Sequence, residues 1–436
     1  MLTIAYLANE FPSPVEPYVP DEIEELRNRG VRVVAGSIRQ PKTEEGDIDV
    51  FGLILLPLTF GVVVQSVCLL LWRCNRILPF LSRIVFQGRE GPTQRLRALA
   101  HTLLGACYAV RLEGNEVQHI HVHHGYFGSW IGMVAARLMG CGFSLTLHGS
   151  DLLQHGAYLD TKLENCDFCL TVSEYNRQFI LMSHEGIPAD KVVVSRLGVE
   201  WPPRVPMRVK SEAGSLHILT VGRLHEVKNH AFLVRACVRL DSEGMQFKCS
   251  IAGEGPERQN LESLIQACGL QEQIVLLGHV ERDGLDSLYD SADVVVLTSR
   301  SEGIPLVLME AMARGKIVLA PAITGIPELV IDGKTGFLYD PGSLDDLVSR
   351  LIVIDRRMRE SAGEDRIGLE DGLASECSKL DWVRHGARVQ VRHNFNREKN
   401  LAAFASLFLE RITPQNESVP RENSVLQQIQ LSLQRN

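Results

Sequence analysis

The chain opens on a short apolar run, Met1-Leu-Thr-Ile-Ala-Tyr-Leu, and a second apolar run follows at 31–37. Between them, over 19–29, apolar residues recur three and four positions apart. Short apolar runs bounded by polar turns read as buried strands, and the intervening helical period reads as an amphipathic helix. The same rhythm returns at 117–123, 128–139 and 143–148 as strand, helix and strand. Alternation of this kind builds βαβ units and a parallel sheet. It restarts after residue 215, with strands predicted at 216–221, 246–252, 273–277, 293–298 and 316–320, each followed by a helix or loop.

Between the two halves, Trp201-Pro-Pro-Arg-Val-Pro206 and the residues up to Gly214 carry no periodicity, which suits an inter-domain linker with a hinge at 200–215. A chain of 436 residues also exceeds what one hydrophobic core organises. The expected fold is therefore α/β, two Rossmann-like domains whose parallel sheets face a central cleft. The first domain is expected over 1–205 and the second over 215–390. A C-terminal helix over 391–412 is expected to return to the first domain, and the Gln-, Asn- and Ser-rich tail 413–436 to be disordered.

One segment breaks the rhythm. Val50 to Trp72 carries no charge, a length that can span a bilayer. Pro57, Gly61 and Gln65 interrupt it, and a span would separate the first strand from those at 117 and 143, which need the same sheet. From Val50 to Leu112 the charged residues are Arg73, Arg76, Arg83, Arg89, Glu90, Arg95, Arg97 and Arg111. An apolar segment with seven cations and one anion is expected to sit on an anionic membrane surface. The bland alternative is a pair of core helices with solvated arginines.

Composition narrows the picture further. Hydrophobic residues at 45% and charged residues at 22% are ordinary globular values, and a net charge of -8 argues against a nucleic-acid partner. The ten cysteines are scattered except for Cys166 and Cys169, which lack the second pair a structural zinc site needs. They are expected in the core of a protein from a reducing compartment. The N-terminus has neither a basic stretch nor a small-residue cleavage site, so no secretory signal is expected. The expected location is cytoplasmic, peripheral on the inner face of the membrane.

The chemistry concentrates in three places. Ser299-Arg-Ser-Glu302-Gly303-Ile304-Pro305-Leu306, with Glu310 following, reads as a strand end, a turn and a helix whose first residue is Pro305. Free N–H groups of a first helical turn attract phosphate oxygens, and carboxylates accept hydrogen bonds from sugar or ribose hydroxyls. Dipole-favoured acids at a helix start would explain Glu302, though not Glu310 in the second turn. Gly222-Arg223 with Lys228 falls where the first strand of the second domain meets its helix, a usual ligand position in open α/β sheets. There a planar guanidinium and an ammonium can flank a diphosphate and offset leaving-group charge without a metal ion. In the first domain, His148-Gly149-Ser150-Asp151 ends a strand facing the same cleft, and His123 and His124 end the preceding one. Gly149 allows close backbone approach to a ligand. His123, His124 and Asp151 are candidates for the acceptor side.

Taken together, Glu302-Gly-x-Pro with Glu310, Gly222-Arg223 with Lys228, His148-Gly149-x-Asp151, Gly253-x-Gly255-Pro256, Gly278-His279-Val280 and Gly325-x-x-Glu328-x-Val330 resemble, in order, the landmarks of the GT-B-fold retaining glycosyltransferase family 4. The resemblance runs from about residue 115 to 345. It implies a nucleotide-sugar donor, UDP- or GDP-linked, and transfer of a hexose without a metal or other cofactor. By it Arg223 and Lys228 hold the diphosphate, Glu310 the ribose, Glu302 the transferred sugar, His148 a sugar hydroxyl and the backbone near Val280 the base. Gly253, Gly303, Ile304, Pro305 and Leu306 belong to the same donor site. The loop after the first strand, Asn9 to Glu16, lacks the paired glycines of many members and resembles those that build cell-surface polysaccharides. That variant implies a saccharide or lipid-linked acceptor. The acidic insertion at 363–376 has no assigned counterpart. Rival readings are a nucleotide-sugar-binding protein without turnover, a sugar-nucleotide epimerase or phosphorylase on the same fold, and a metal-dependent GT-A transferase using Asp47-Ile48-Asp49.

Overall fold

A computed structural model describes residues 1–13, 16–40, 53–87, 90–153, 156–202, 215–364 and 379–413. The hinge 203–214, most of the insertion at 363–376, the tail beyond 413 and Asp47-Ile48-Asp49 lie outside these described residues. Seven strands form the first sheet: β1 Thr3–Glu10, β2 Arg32–Arg39, β3 Leu53–Ile54, β4 His119–His123, β5 Gly142–Leu147, β6 Phe168–Thr171 and β7 Val192–Val194. Six form the second: β8 Leu216–Val221, β9 Phe247–Ala252, β10 Ile274–Gly278, β11 Val294–Val296, β12 Ile317–Pro321 and β13 Phe337–Tyr339.

The strand order is β3-β2-β1-β4-β5-β6-β7 in one sheet and β10-β9-β8-β11-β12-β13 in the other, and every pair is parallel. Each order reverses once, between β1 and β4 and between β8 and β11. These switch points leave a crevice at the carboxyl ends of the strands. The strands absent from the sequence reading are β3, β6, β7 and β13, with two to four residues each.

Side chains of β1 alternate between two cores. Ile4, Tyr6 and Ala8 face a layer made by helix α1, Tyr18–Asn28, and by the last helix, Arg397–Ile412, whose Phe404 and Phe408 are buried there. Ala5 and Leu7 face the opposite core. That core continues through α2 Phe60–Trp72, which lies in the charge-free run, and through α3 Cys74–Ser82, α4 Pro92–Leu112 and α5 Phe127–Met139 beyond it. Gly105 lets α4 close on α5, since a Cβ there would stand 2.6 Å from Val134 Cβ.

Among the described residues no single helix is long and apolar enough to cross a membrane, and α2 meets the next helical stretch at a bend of 88°. The run instead splits: Leu53 and Ile54 extend the sheet and α2 lies outside it. Three arginines expected to face lipid are tied into the protein. Arg73 and Arg76 donate to the Leu138 carbonyl, where cations complement a helix C-terminus. Arg83 pairs with Glu90 at 3.0 Å and Asp160 at 2.7 Å. Apolar side chains also stay open: Phe60, Val64, Val67 and Leu71 form an exposed stripe at helical spacing along α2, with Phe60 85% exposed, and Trp72 (76%) and Phe86 (81%) are exposed too. Cys166 and Cys169 are buried free thiols on either side of the start of β6.

Truncating Phe408 tests the docking of the last helix on the first sheet. Phe408→Ala is expected to lower stability by about 3–5 kcal/mol, as for a buried Phe truncated to Ala, and the shift in denaturant midpoint measures it.

Candidate active site

Both switch points bring functional groups to the same crevice. In the second domain β8 ends at Val221, and Gly222 to Lys228 form the turn that enters the helix His230–Ser242. Glycine is required nearby. Gly253 has φ 149° and a Cβ there would stand 1.9 Å from the Gly222 carbonyl oxygen, so the turns after β8 and β9 interlock. The neighbouring strand β11 runs into Thr298, whose hydroxyl donates to the carbonyls of Lys228 at 3.0 Å and Asn229 at 3.1 Å. The Glu302 loop is thereby fastened to the Lys228 turn. Lys228 Nζ donates to Glu302 Oε1 at 2.5 Å, both side chains being partly exposed.

The helix Leu306–Ala313 starts one residue later than expected, with Pro305 as its cap residue rather than its first turn. Glu310 lies on that helix and accepts from the Tyr289 hydroxyl at 2.7 Å. Burial raises the Glu310 pKa, while Tyr289, Arg314 and Arg282 oppose that rise. Tyr289 was invisible to the sequence reading, since a tyrosine on a mid-domain helix carries no motif.

Arg223 is exposed and forms no ion pair among the described residues. Its charge reaches the first domain, where it stabilises the ionised forms of Glu16 and Tyr18. The two domains touch directly at glycine. A Cβ on Gly149 would stand 2.9 Å from the Gly303 nitrogen, and one on Gly303 would stand 2.1 Å from the His148 carbonyl oxygen. Glu328, from the Gly325-x-x-Glu328 motif, accepts from the backbone N–H groups of Tyr175 at 2.8 Å and Glu174 at 3.1 Å, capping a first-domain helix. Val280 lies at the foot of this domain's β10 loop, its methyl group against Gly284.

The first-domain residues form one hydrogen-bonded chain. His148 stacks on Tyr18 at 4.6 Å and its Nε2 meets His123 Nδ1 at 3.1 Å. His123 Nε2 meets Glu22 Oε2 at 3.1 Å, and the Tyr6 hydroxyl donates to the same oxygen at 3.1 Å. His123 is therefore fully enclosed and supports His148 rather than facing a ligand. Asp151, expected on the acceptor side, is buried too. Its carboxylate accepts from the N–H groups of Gly149 at 2.7 Å, Gly125 at 2.9 Å and His148 at 3.1 Å, and so pins the two loops together. His124 stays partly open and is held between Glu16 at 2.8 Å and Asp151 at 3.5 Å. Its burial disfavours charge, but hydrogen bonds to Asp151 and Glu16 override it and hold the pKa at about 10.

Glu22 was missed by the sequence reading. Its signal was a carboxylate on the buried face of α1, among Val19, Ile23 and Leu26 at helical spacing. Glu22, His121 and His123 are the one group among the described residues whose potential ligand atoms lie within 4.8 Å of one another. His121 is already bonded to Ser144 at 2.7 Å and Thr146 at 3.0 Å, and His123 to His148 and Glu22, so the group reads as a satisfied internal network.

The geometry meets known proteins at this point. Residues 207–364 match the family model described as glycosyl transferases group 1. The colanic acid biosynthesis glycosyltransferase WcaL of Escherichia coli (strain K12) is 32% identical over 228 residues, 51% of this chain and 52% of that protein. The amylovoran biosynthesis glycosyltransferase AmsK of Erwinia amylovora is 29% identical over 246 residues, 53% and 60% of the two chains. The chain thus spans little more than half the length of these relatives. Among solved structures, sucrose-phosphate synthase from Thermosynechococcus elongatus superposes with a TM-score of 0.69 at 18% identity, covering 94% of this chain and 99% of that one. Anabaena Alr3699/HepE in complex with UDP and glucose gives 0.64 at 16% identity, covering 94% and 100%. At these identities the likeness shows the fold, the two-domain GT-B arrangement of parallel sheets.

The His124 clamp carries its own pH signature. A histidine whose pKa rises from 6.5 unfolded to about 10 folded stabilises fully below pH 6.5, and that stabilisation is lost as pH rises through 10. Denaturant midpoints measured from pH 6 to 10 are expected to fall more steeply for the wild type than for His124→Gln.

Proposed function

We propose, from the premise that residues 207–364 match the group 1 glycosyl transferases, that this chain is a glycosyltransferase of polysaccharide biosynthesis that takes a hexose from a UDP- or GDP-sugar. The carrying observation is the contact of Lys228 with Glu302, which joins two sequence constellations at one switch point. Arg223, Lys228 and the open first turn at Leu306 form a positive surround suited to a diphosphate. Glu302 and Glu310 supply acceptors for sugar and ribose hydroxyls, and the backbone near Val280 flanks the base. His148, backed by His123 and Glu22, offers a hydrogen bond to the sugar. Gly222, Gly253, Gly303 and Ile304 shape the turns that let backbone approach the donor.

The reaction we assign is retaining and independent of a metal. The acceptor oxygen attacks the anomeric carbon on the face from which the diphosphate leaves, the bond to the diphosphate oxygen breaks, and that oxygen takes the acceptor proton. Arg223 and Lys228 then act most strongly where charge builds on the leaving group. Retention and family 4 membership rest on the motif resemblance.

We further assign the acceptor to a lipid-linked saccharide and place the protein peripherally on the cytoplasmic face of a membrane. The support is the exposed stripe of α2 with Trp72 and Phe86, because contiguous exposed apolar side chains of this size mark interaction surfaces. Insertion of these groups, with Arg73, Arg76 and Arg83 bonded to protein groups, makes the attachment chiefly apolar.

Two experiments test this reading. Product trapping across UDP- and GDP-sugars should identify one donor, and Arg223→Ala should lower kcat/KM for it by about 10²-fold or more. Near-normal turnover of that variant would contradict the role of Arg223, and conversion of donor without acceptor would point to an epimerase. In flotation with phosphatidylglycerol vesicles, the wild type should rise with the lipid at low and high salt, while Phe60→Ser/Trp72→Ser/Phe86→Ser stays at the bottom. Equal flotation of both would remove the membrane surface from the account.

A further inference from the structure

A hollow of about 710 Å3 lies on the first domain, between α4, the start of α5, the end of β2 and the segment 156–158. Its size falls in the range of roughly 300–1,000 Å3 common to small-molecule sites. The donor residues leave it unused, yet it begins at Gly125, one residue beyond His124 in the crevice. Part of its wall is apolar, formed by Ile38, Leu56, Leu104, Phe127, Trp130 and Tyr158.

Its charged lining has one sign. Arg39, Arg97 and Lys162 line it with His101, and no Asp or Glu is among the described lining residues. Arg97 forms no ion pair among the described residues, and the Arg39 guanidinium rests only over the Phe127 ring, 5.9 Å from its centre. Lys162 is buried and donates to three carbonyls, Gly125 at 2.6 Å, Ala157 at 2.8 Å and Tyr126 at 3.2 Å, with no carboxylate in hydrogen-bond reach. Burial lowers its pKa to about 7, and burial with the charges of Lys162 and Arg97 lowers that of His101 to about 4. Lys162 spends its N–H donors on those carbonyls and has the charges of Asp151, Asp160 and Glu90 about it, so the free cations of the wall are Arg39 and Arg97, whose field draws an anion. The same helix that contributes Arg97 and His101 carries the exposed Leu96 and Leu99, so the hollow opens beside the apolar surface.

We infer that this hollow takes the phosphate-bearing head and the adjoining hydrocarbon chain of the acceptor lipid, which delivers the sugar past Gly125 to the crevice. The inference rests on the acceptor half of the proposed function. An apolar wall alone would suit any hydrophobe, and cations alone any anion; the juxtaposition of Arg39 and Arg97 with Trp130 and Leu104 selects a molecule carrying both.

Calorimetric titration of the full chain carrying Arg223→Ala/Lys228→Ala, which removes the proposed donor diphosphate grip, tests it, with farnesyl diphosphate, farnesol and inorganic pyrophosphate as probes. Farnesyl diphosphate should bind saturably, one per chain, and each of the other two at least tenfold more weakly. Arg39→Gln/Arg97→Gln, folded with an unchanged unfolding midpoint, should lose at least tenfold in affinity for farnesyl diphosphate. Pyrophosphate binding as tightly as farnesyl diphosphate would reduce the hollow to a bare anion site, and farnesol binding as tightly would reduce it to an apolar groove. Either result, or unchanged affinity on adding Arg39→Gln/Arg97→Gln, overturns the inference. Should Arg39→Gln/Arg97→Gln fold poorly, the three-probe series on the chain carrying Arg223→Ala/Lys228→Ala alone decides. Because no donor is present, failure here with an intact donor reaction leaves a transferase whose acceptor binds elsewhere. Success here with no donor reaction leaves an amphiphile-binding protein and removes the transferase reading.

Discussion

Close backbone approach between loops of the two domains is the constraint on which the rest of the structure depends. Gly149 and Gly303 stand where any Cβ would meet backbone atoms of the opposite loop, and Gly253 stands likewise against Gly222. Relief of those contacts would require the loops to move apart by an ångström or so, and positioning errors of that size cost heavily in catalysis. With the loops seated, His148 from one sheet and Glu302 from the other share one crevice, and Lys228 reaches Glu302. Glu328 adds a charge-assisted cap across the same seam.

Beneath that seam, the polar groups divide into those that face the crevice and those that hold others in place. Asp151, His123 and Glu22 satisfy backbone and ring donors and are buried, so their part is support. His124 is clamped between two carboxylates with a positive φ of 69°, a conformation uncommon for histidine that the surrounding bonds must maintain. Arg223 is the contrast: exposed, without an ion pair among the described residues, its charge felt at Glu16 of the first domain. The buried pairs rigidify the crevice, while Arg223 stays free to meet an anion, as the proposed function requires.

How much of this the sequence disclosed depends on the length scale of each signal. Strands of five residues or more, and the helices between them, repeat often enough along the chain for periodicity to find them. Strands such as Val192–Val194 and Phe337–Tyr339 do not. Gly222-Arg223 with Lys228, and Glu302 with Glu310, were legible because each set falls at short spacing along the chain. The supporting roles of Glu22 and Tyr289, and the enclosure of His123 and Asp151, depend on contacts between residues distant in sequence, 101 positions apart for Glu22 and His123. The arginines of the apolar segment show the same limit: their number was plain, but their attachment to the end of α5 required three dimensions.

The central claim, that Lys228 and Arg223 grip a diphosphate at the switch point of the second sheet, is tested most directly by ranking nucleotide affinities calorimetrically. For whichever base the donor carries, the nucleoside diphosphate should bind the wild type at least tenfold more tightly than the monophosphate, and Lys228→Ala should erase most of that difference. Equal affinities of diphosphate, monophosphate and free nucleoside for the wild type would contradict it.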